Sequence, residues 1–193
     1  MTTSKPGFVT IVSGLPRSGT SMMMQMLDRG GLPALTDNVR QPDEDNPKGY
    51  YEFEPVKRTK QDPSWLEQAV GKAVKMVYRL LYDLPKNYDY RVIFMRRKLE
   101  EVVASQNVML ERSGKQGGGL SDEKLLEVFR AEIDRNNRWL AAQPNFKVLY
   151  VNYNEMLQDP APQVARINAF LGGTLDTRAM LAVIDPSLYR QRR

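Results

Sequence analysis

Residues 8–27, FVTIVSGLPRSGTSMMMQML, constrain this chain more than any other stretch. An apolar run enters a turn of small residues and leaves as an amphipathic pattern, which predicts a buried strand, a tight loop and a helix in direct succession. Gly14 and Gly19 can take backbone angles closed to other residues, and Pro16 stiffens the turn. Several N–H groups around Arg17 to Ser21 can therefore converge on one anion. The helix N-terminus adds its partial positive charge at the same place.

The spacing from Gly14 to Ser21 follows the nucleotide-binding pattern of a glycine, four residues, a glycine, then Lys and Ser/Thr, except that Thr20 stands where Lys belongs. A kinase or GTPase uses that Lys on the β- and γ-phosphates and the next hydroxyl on magnesium, so its loss weighs against an ATP- or GTP-dependent enzyme. Arg17 offers a cation from within the loop instead.

GLPRSGTS resembles the loop by which sulfotransferases hold the 5′-phosphosulfate of 3′-phosphoadenosine 5′-phosphosulfate (PAPS). The resemblance implies that Arg17, Ser18, Gly19, Thr20 and Ser21 bind that group, with Arg17 offsetting charge on the bridging oxygen, and it implies no metal. Further along, MRRKLEEVVAS is similar to the family's 3′-phosphate signature, an Arg and a Ser eight residues apart. This implies that Arg97 and Ser105 bind the 3′-phosphate. Arg97 closes a predicted strand, and neighbouring side chains on a strand face opposite ways, so Arg96 is expected to point elsewhere. The run VLYVNYNEMLQDPAPQVARINAFLG resembles the closing strand and helix of the family, so the likeness extends from Phe8 to Gly172 and implies a P-loop-like α/β sulfotransferase fold.

In the cytosolic branch of that family a Lys, followed two residues later by the His that acts as base, closes the second strand. Here Lys75 occupies the Lys place and Val77 stands where the His would be. Other branches use Glu. The loop sequence NPKGYYEFE offers Glu52 and Glu54, which share one side if the piece is extended. Glu52 is the preferred base, after the turn-forming residues 46–49. Lys75 is assigned to the sulfonate or bridging oxygen, so the catalytic set is Glu52, Lys75 and Arg17. Tyr50 and Tyr51 are candidates for an acceptor pocket. Lys48, Arg79, Arg190, Arg192 and Arg193 are weaker candidates for phosphate contact.

The rest of the chain bounds this reading. With 193 residues, 41% hydrophobic and 26% charged, one domain over residues 1–193 is expected. There is no Cys and no His, so disulfides are excluded and acid–base chemistry must fall to carboxylates, Lys or Tyr. The net charge of +5 suits a protein that handles polyanionic small molecules, and equally a nucleic-acid binder. A nucleotide-dependent small-molecule kinase and a non-catalytic nucleotide- or RNA-binding module are the rival readings. Stacking aromatics on a strand motif are not evident, so no nucleic acid is the expectation. The expected partner is a small-molecule acceptor. A homo-oligomer is neither required nor excluded, since no heptad seam is readable.

No apolar run approaches the ~20 residues a spanning helix needs, and residues 1–7 do not form a signal peptide, so a soluble, cytoplasmic protein is expected. Strands are predicted over 72–78, 90–95 and 146–151. Helices are predicted over 63–70, from Leu99 to Leu110, from Ser121 or Asp122 to about Ala142, and from Gln163 to Leu171, where Gly172 and Gly173 end it. A short helix precedes Asp185. Apolar strands alternating with helices predict three layers: a mainly parallel central sheet covered on both faces. The glycine-rich run 113–119 is read either as a mobile flap beside the site or as a linker.

Overall fold

The computed structural model describes residues 7–37, 39, 49–112, 114 and 119–185. Four parallel strands, β1 (Val9–Gly14), β2 (Ala73–Lys75), β3 (Tyr90–Arg96) and β4 (Phe146–Asn152), form one sheet in the order β2-β1-β3-β4. The helices are α1 (Thr20–Arg29), α2 (Leu66–Ala69), α3 (Leu99–Arg112), α4 (Asp122–Ala141), α5 (Tyr153–Gln158), α6 (Pro160–Leu171) and α7 (Thr177–Leu181), with 3-10 turns at Glu54–Arg58 and Tyr78–Asp83. None of these helices is long and apolar enough to cross a membrane.

Successive strand residues face opposite sides. Ile11, Val74, Val92 and Phe94 join one core with α2, α3 and α4, while Val12, Ala73, Ile93 and Met95 join another with α1, α5, α6 and α7. Both faces are thus covered, which explains strands that read as unbroken apolar runs. Burying a side chain such as Phe94 or Ile93 completely, as here, stabilises the fold by roughly 1.5–3 kcal/mol each. Buried Met23, Met24 and Met26 fill the gap under α1, a use suited to their unbranched, adaptable side chains.

Several element ends differ from the sequence reading. The second strand stops at Lys75, and the chain turns into the Tyr78–Asp83 3-10 turn, leaving Val77 exposed. Lys75 therefore sits at the strand's carboxyl end rather than inside it. Asp62 accepts the Ser64 N–H at 3.0 Å in a local turn, and α2 begins only at Leu66. Helix α6 starts at Pro160, not Gln163, because prolines in a first helical turn have no N–H that the helix needs. Gly172, at φ 115°, ends it as anticipated. Ser121 caps α4 by accepting the Lys124 N–H.

Candidate active site

The loop between β1 and α1 is shaped by three positive φ angles: Gly14 at 147°, Arg17 at 70° and Gly19 at 95°. A Cβ on Gly14 would meet the Met95 carbonyl oxygen at 2.6 Å, and one on Gly19 would meet Tyr153 Cδ2 at 2.4 Å. Glycine is required at both places by contact as well as by angle. Arg17 holds its left-handed conformation without that excuse, so its surroundings must impose it. The first N–H taken up within α1 is that of Met23, donated to Gly19 O at 3.1 Å. The N–H groups of Thr20, Ser21 and Met22 belong to the first helical turn, which offers them no acceptor within the helix, and the helix dipole favours an anion at that end.

Ser18 stands apart from its neighbours. Its hydroxyl donates to Leu15 O at 2.7 Å and its N–H to the same carbonyl at 3.2 Å, and the residue is buried. It closes the turn from inside.

What imposes the Arg17 conformation comes from β3 and α3. Arg97 Nη1 donates to Arg17 O at 3.1 Å, and its Nε donates to Glu101 Oε2 at 2.8 Å. Glu101 is fully buried, and Asn154 Nδ2 donates to both of its oxygens, at 3.0 and 3.2 Å. Tyr153 lies beneath the Arg97 guanidinium, 4.8 Å from ring centroid to Cζ, and packs against Gly19. A buried ion pair with its remaining lone pairs satisfied holds one geometry, since moving either charge alone would leave the other uncompensated. The Arg17 side chain then reaches across, and its Nε donates to Ser105 Oγ at 2.8 Å. Arg96, one residue earlier, faces away and stacks on Tyr150 at 3.7 Å, as strand alternation requires.

On the other side of the loop, Lys75 Nζ donates to the Tyr50 carbonyl oxygen and to Ser21 Oγ, the latter at 3.4 Å. It lies 3.9 Å from Glu52 Oε1, with both side chains largely buried. Glu54 opens the 3-10 turn, pairs with Lys57 at 2.5 Å and is exposed. Phe53, between the two carboxylates, is extended as the sequence reading assumed, with φ −140° and ψ 103°, yet Glu52 pairs with Lys75 and Glu54 with Lys57. Arg79 bonds to Tyr78 Oη and Glu132 on the α4 side. Lys48, Arg190, Arg192 and Arg193 lie outside the described residues, as does most of 113–119.

The structure therefore gathers Arg17, Arg97 and Ser105 at one edge of the loop and Ser21, Lys75 and Glu52 at the other. Sequence reasoning did not find Glu101, Tyr153 or Asn154. Glu101 sits one turn after Arg97, a spacing at which oppositely charged residues meet on a helix, and that signal was readable. Tyr153 and Asn154 left none, since the β3–β4 pairing alone brings them to Gly19 and Glu101 respectively.

A search of solved structures and a family comparison bear on this arrangement. The family model described as the sulfotransferase domain matches residues 127–191. A sulfotransferase from Mycobacterium tuberculosis superposes with a TM-score of 0.60 at 17% identity, covering 96% of this chain and 74% of that one. The sulfotransferase domain of a Synechococcus olefin synthase gives 0.57 at 16% identity, covering 97% and 80%. This chain has the sulfotransferase fold. A mouse sulfotransferase crystallised with PAP gives 0.51 at 18% identity, over 93% of this chain and 63% of that one. No curated protein matches the sequence. The resemblance of the glycine loop and of the closing segment to sulfotransferases thus agrees with the backbone of the whole sheet and its flanking helices.

Proposed function

We propose that this protein transfers a sulfonate group from PAPS to a hydroxyl or amine of a small-molecule acceptor. The observation that carries the reading is the pairing of two charge groups across one glycine loop: Arg17, Arg97 and Ser105 on one side, Lys75 with Glu52 on the other. That donor set suits a doubly phosphorylated nucleotide, and the crystallised mouse relative that binds PAP supports the same ligand class. The N–H groups at the start of α1, Arg17 and Ser21 would hold the 5′-phosphosulfate. Arg97 and Ser105 would hold the 3′-phosphate, with Arg17 in reach of both ends through its bond to Ser105.

The reaction is an in-line displacement at sulfur. The acceptor oxygen or nitrogen forms the new bond to sulfur, the bond from sulfur to the bridging oxygen breaks, and adenosine 3′,5′-bisphosphate leaves. Glu52 takes the acceptor proton, and Lys75, 3.9 Å away, keeps that carboxylate company as an ion pair while facing the transferring group. Arg17 and Lys75 offset the charge that builds on the bridging oxygen; such preplaced cations are typically worth 10²–10³ in rate (~2.7–4 kcal/mol). Thr20, where a phosphotransferase carries Lys, supports sulfonate transfer over the kinase reading.

Thermal shift separates the readings. Adenosine 3′,5′-bisphosphate without magnesium should raise the melting temperature, by the equivalent of ~2.7 kcal/mol at a hundred times its Kd, and ATP with magnesium should do far less. The reverse ranking would favour the kinase. Glu52→Gln should slow transfer by about 10²-fold or more with unchanged bisphosphate affinity; full-rate transfer would remove Glu52 as base.

A further inference from the structure

The arm that carries Glu52 is tied to the sheet edge by residues with no place in the mechanism above. After α1 the chain runs back beside β2. Ala73 N–H donates to Pro33 O at 2.9 Å, Leu35 N–H donates to Ala73 O at 2.7 Å, and Ala34 pairs in parallel with Ala73. The direction and register of 33–35 are thus fixed against the strand that ends in Lys75. Thr36 and Asp37 come next, beyond the same end of the sheet.

From there both residues grip the arm. Thr36 Oγ1 donates to Glu52 O at 2.9 Å, and Asp37 N–H donates to the same carbonyl at 3.2 Å. Two residues on, Glu54 N–H donates to Asp37 Oδ2 at 2.6 Å, while Val39 N–H takes Oδ1 at 3.0 Å. The backbone of Glu52 is bracketed on both sides, and Tyr50 O is held by Lys75 and Ser21. Between these anchors lies Tyr51 in a left-handed conformation, which persists only where the surroundings over-determine it.

We propose that Thr36 and Asp37 are positioning residues for Glu52, a clasp that ties the loop-borne carboxylate to the sheet. The proposal rests on the reading of Glu52 as base. A loop carboxylate held only by its own chain would sample many positions, and a displacement of ~1 Å costs about 10²-fold in rate. The Glu54 N–H on Asp37 also holds that carboxyl below the usual range, with Lys57 adding attraction, so the clasp is ionised across the neutral range.

The test uses the full chain with Thr36→Val, Asp37→Ala, Glu52→Gln and Glu52→Gln/Asp37→Ala. The readouts are sulfonate release from PAPS to water and to 2-naphthol, adenosine 3′,5′-bisphosphate affinity, and amide hydrogen exchange. Asp37→Ala should lower kcat about tenfold or more, with bisphosphate Kd unchanged within about twofold. Exchange should quicken in residues 50–56 but not in 15–23. Glu52→Gln/Asp37→Ala should be no slower than Glu52→Gln alone, because a residue acting through the base has nothing left to act on. Thr36→Val, which removes one hydroxyl and keeps the shape, should give the same pattern more weakly. The clasp is overturned if exchange in 50–56 is unchanged in Asp37→Ala, if that variant keeps full kcat beside a slow Glu52→Gln, or if the two losses multiply. A full-rate Glu52→Gln would instead remove the base reading, whatever the exchange shows.

Discussion

Arg17 Nε donates to Ser105 Oγ at 2.8 Å, although the two residues are 88 positions apart in the chain. The bond spans from the glycine loop to the second turn of α3, and it links the ends of the site that the two sequence signatures mark separately. A bisphosphate seated on both would meet a preassembled pair. Ser105→Ala should therefore weaken adenosine 3′,5′-bisphosphate binding by about tenfold, the loss of one charge-assisted hydrogen bond (~1.5 kcal/mol). Calorimetric titration of the variant checks this; unchanged affinity would place the 3′-phosphate elsewhere.

Glu101 is fully buried and receives Arg97 and Asn154. Glu101→Ala should cost about 3–5 kcal/mol of stability, because it strands the Arg97 charge in the interior. Glu101→Gln, which keeps the shape and one acceptor, should cost less. Urea unfolding of the two variants gives the ranking, and equal stabilities would mean that the lost charge, not the shape, sets the cost there.

Gly19→Ala should destabilise the fold by roughly 1–3 kcal/mol and impair bisphosphate binding, since the added Cβ falls 2.4 Å from the Tyr153 ring at a φ of 95°. Trimming the ring relieves the contact but not the angle. Gly19→Ala with Tyr153→Leu should thus recover part of the binding lost by Gly19→Ala alone, a coupling that a double-mutant cycle measures.

Asp37 should titrate below an ordinary Asp, chiefly because of the Glu54 N–H. A carboxyl whose folded pKa is depressed contributes stability above its unfolded value near 3.9, and that contribution is lost as pH falls through the folded value. Acid unfolding of Asp37→Asn should therefore lose part of its pH dependence below about pH 4. A carbon-detected titration that puts the Asp37 midpoint at or above the ordinary value would contradict the bond.

Local chemistry made much of this protein legible in its sequence. Strand alternation separated Arg96 from Arg97, and both indeed face opposite sides, one on Tyr150 and one on Glu101. Helix ends were readable where a cap or glycine marks them, at Ser121 and Gly172, and misread at Pro160, where proline opens the helix instead of delaying it. Glu54 was grouped with Glu52, but it opens a 3-10 turn and pairs with Lys57, a local turn that a pattern of alternating side chains does not show.

The sequence by itself determined the four strands, the longer helices and the loop: apolar periodicity dictates those strands and helices, and the small residues from Gly14 to Ser21 dictate the turn between the first strand and helix. Only the tertiary structure decided which groups meet. Tyr153 reaches the loop and Asn154 reaches Glu101 because β3 and β4 pair in register, and Asp37 reaches the Glu52 arm because 33–35 pairs with β2. Such contacts depend on strand order and register, which arise from packing the whole sheet between its two layers and are encoded in no single stretch of chain.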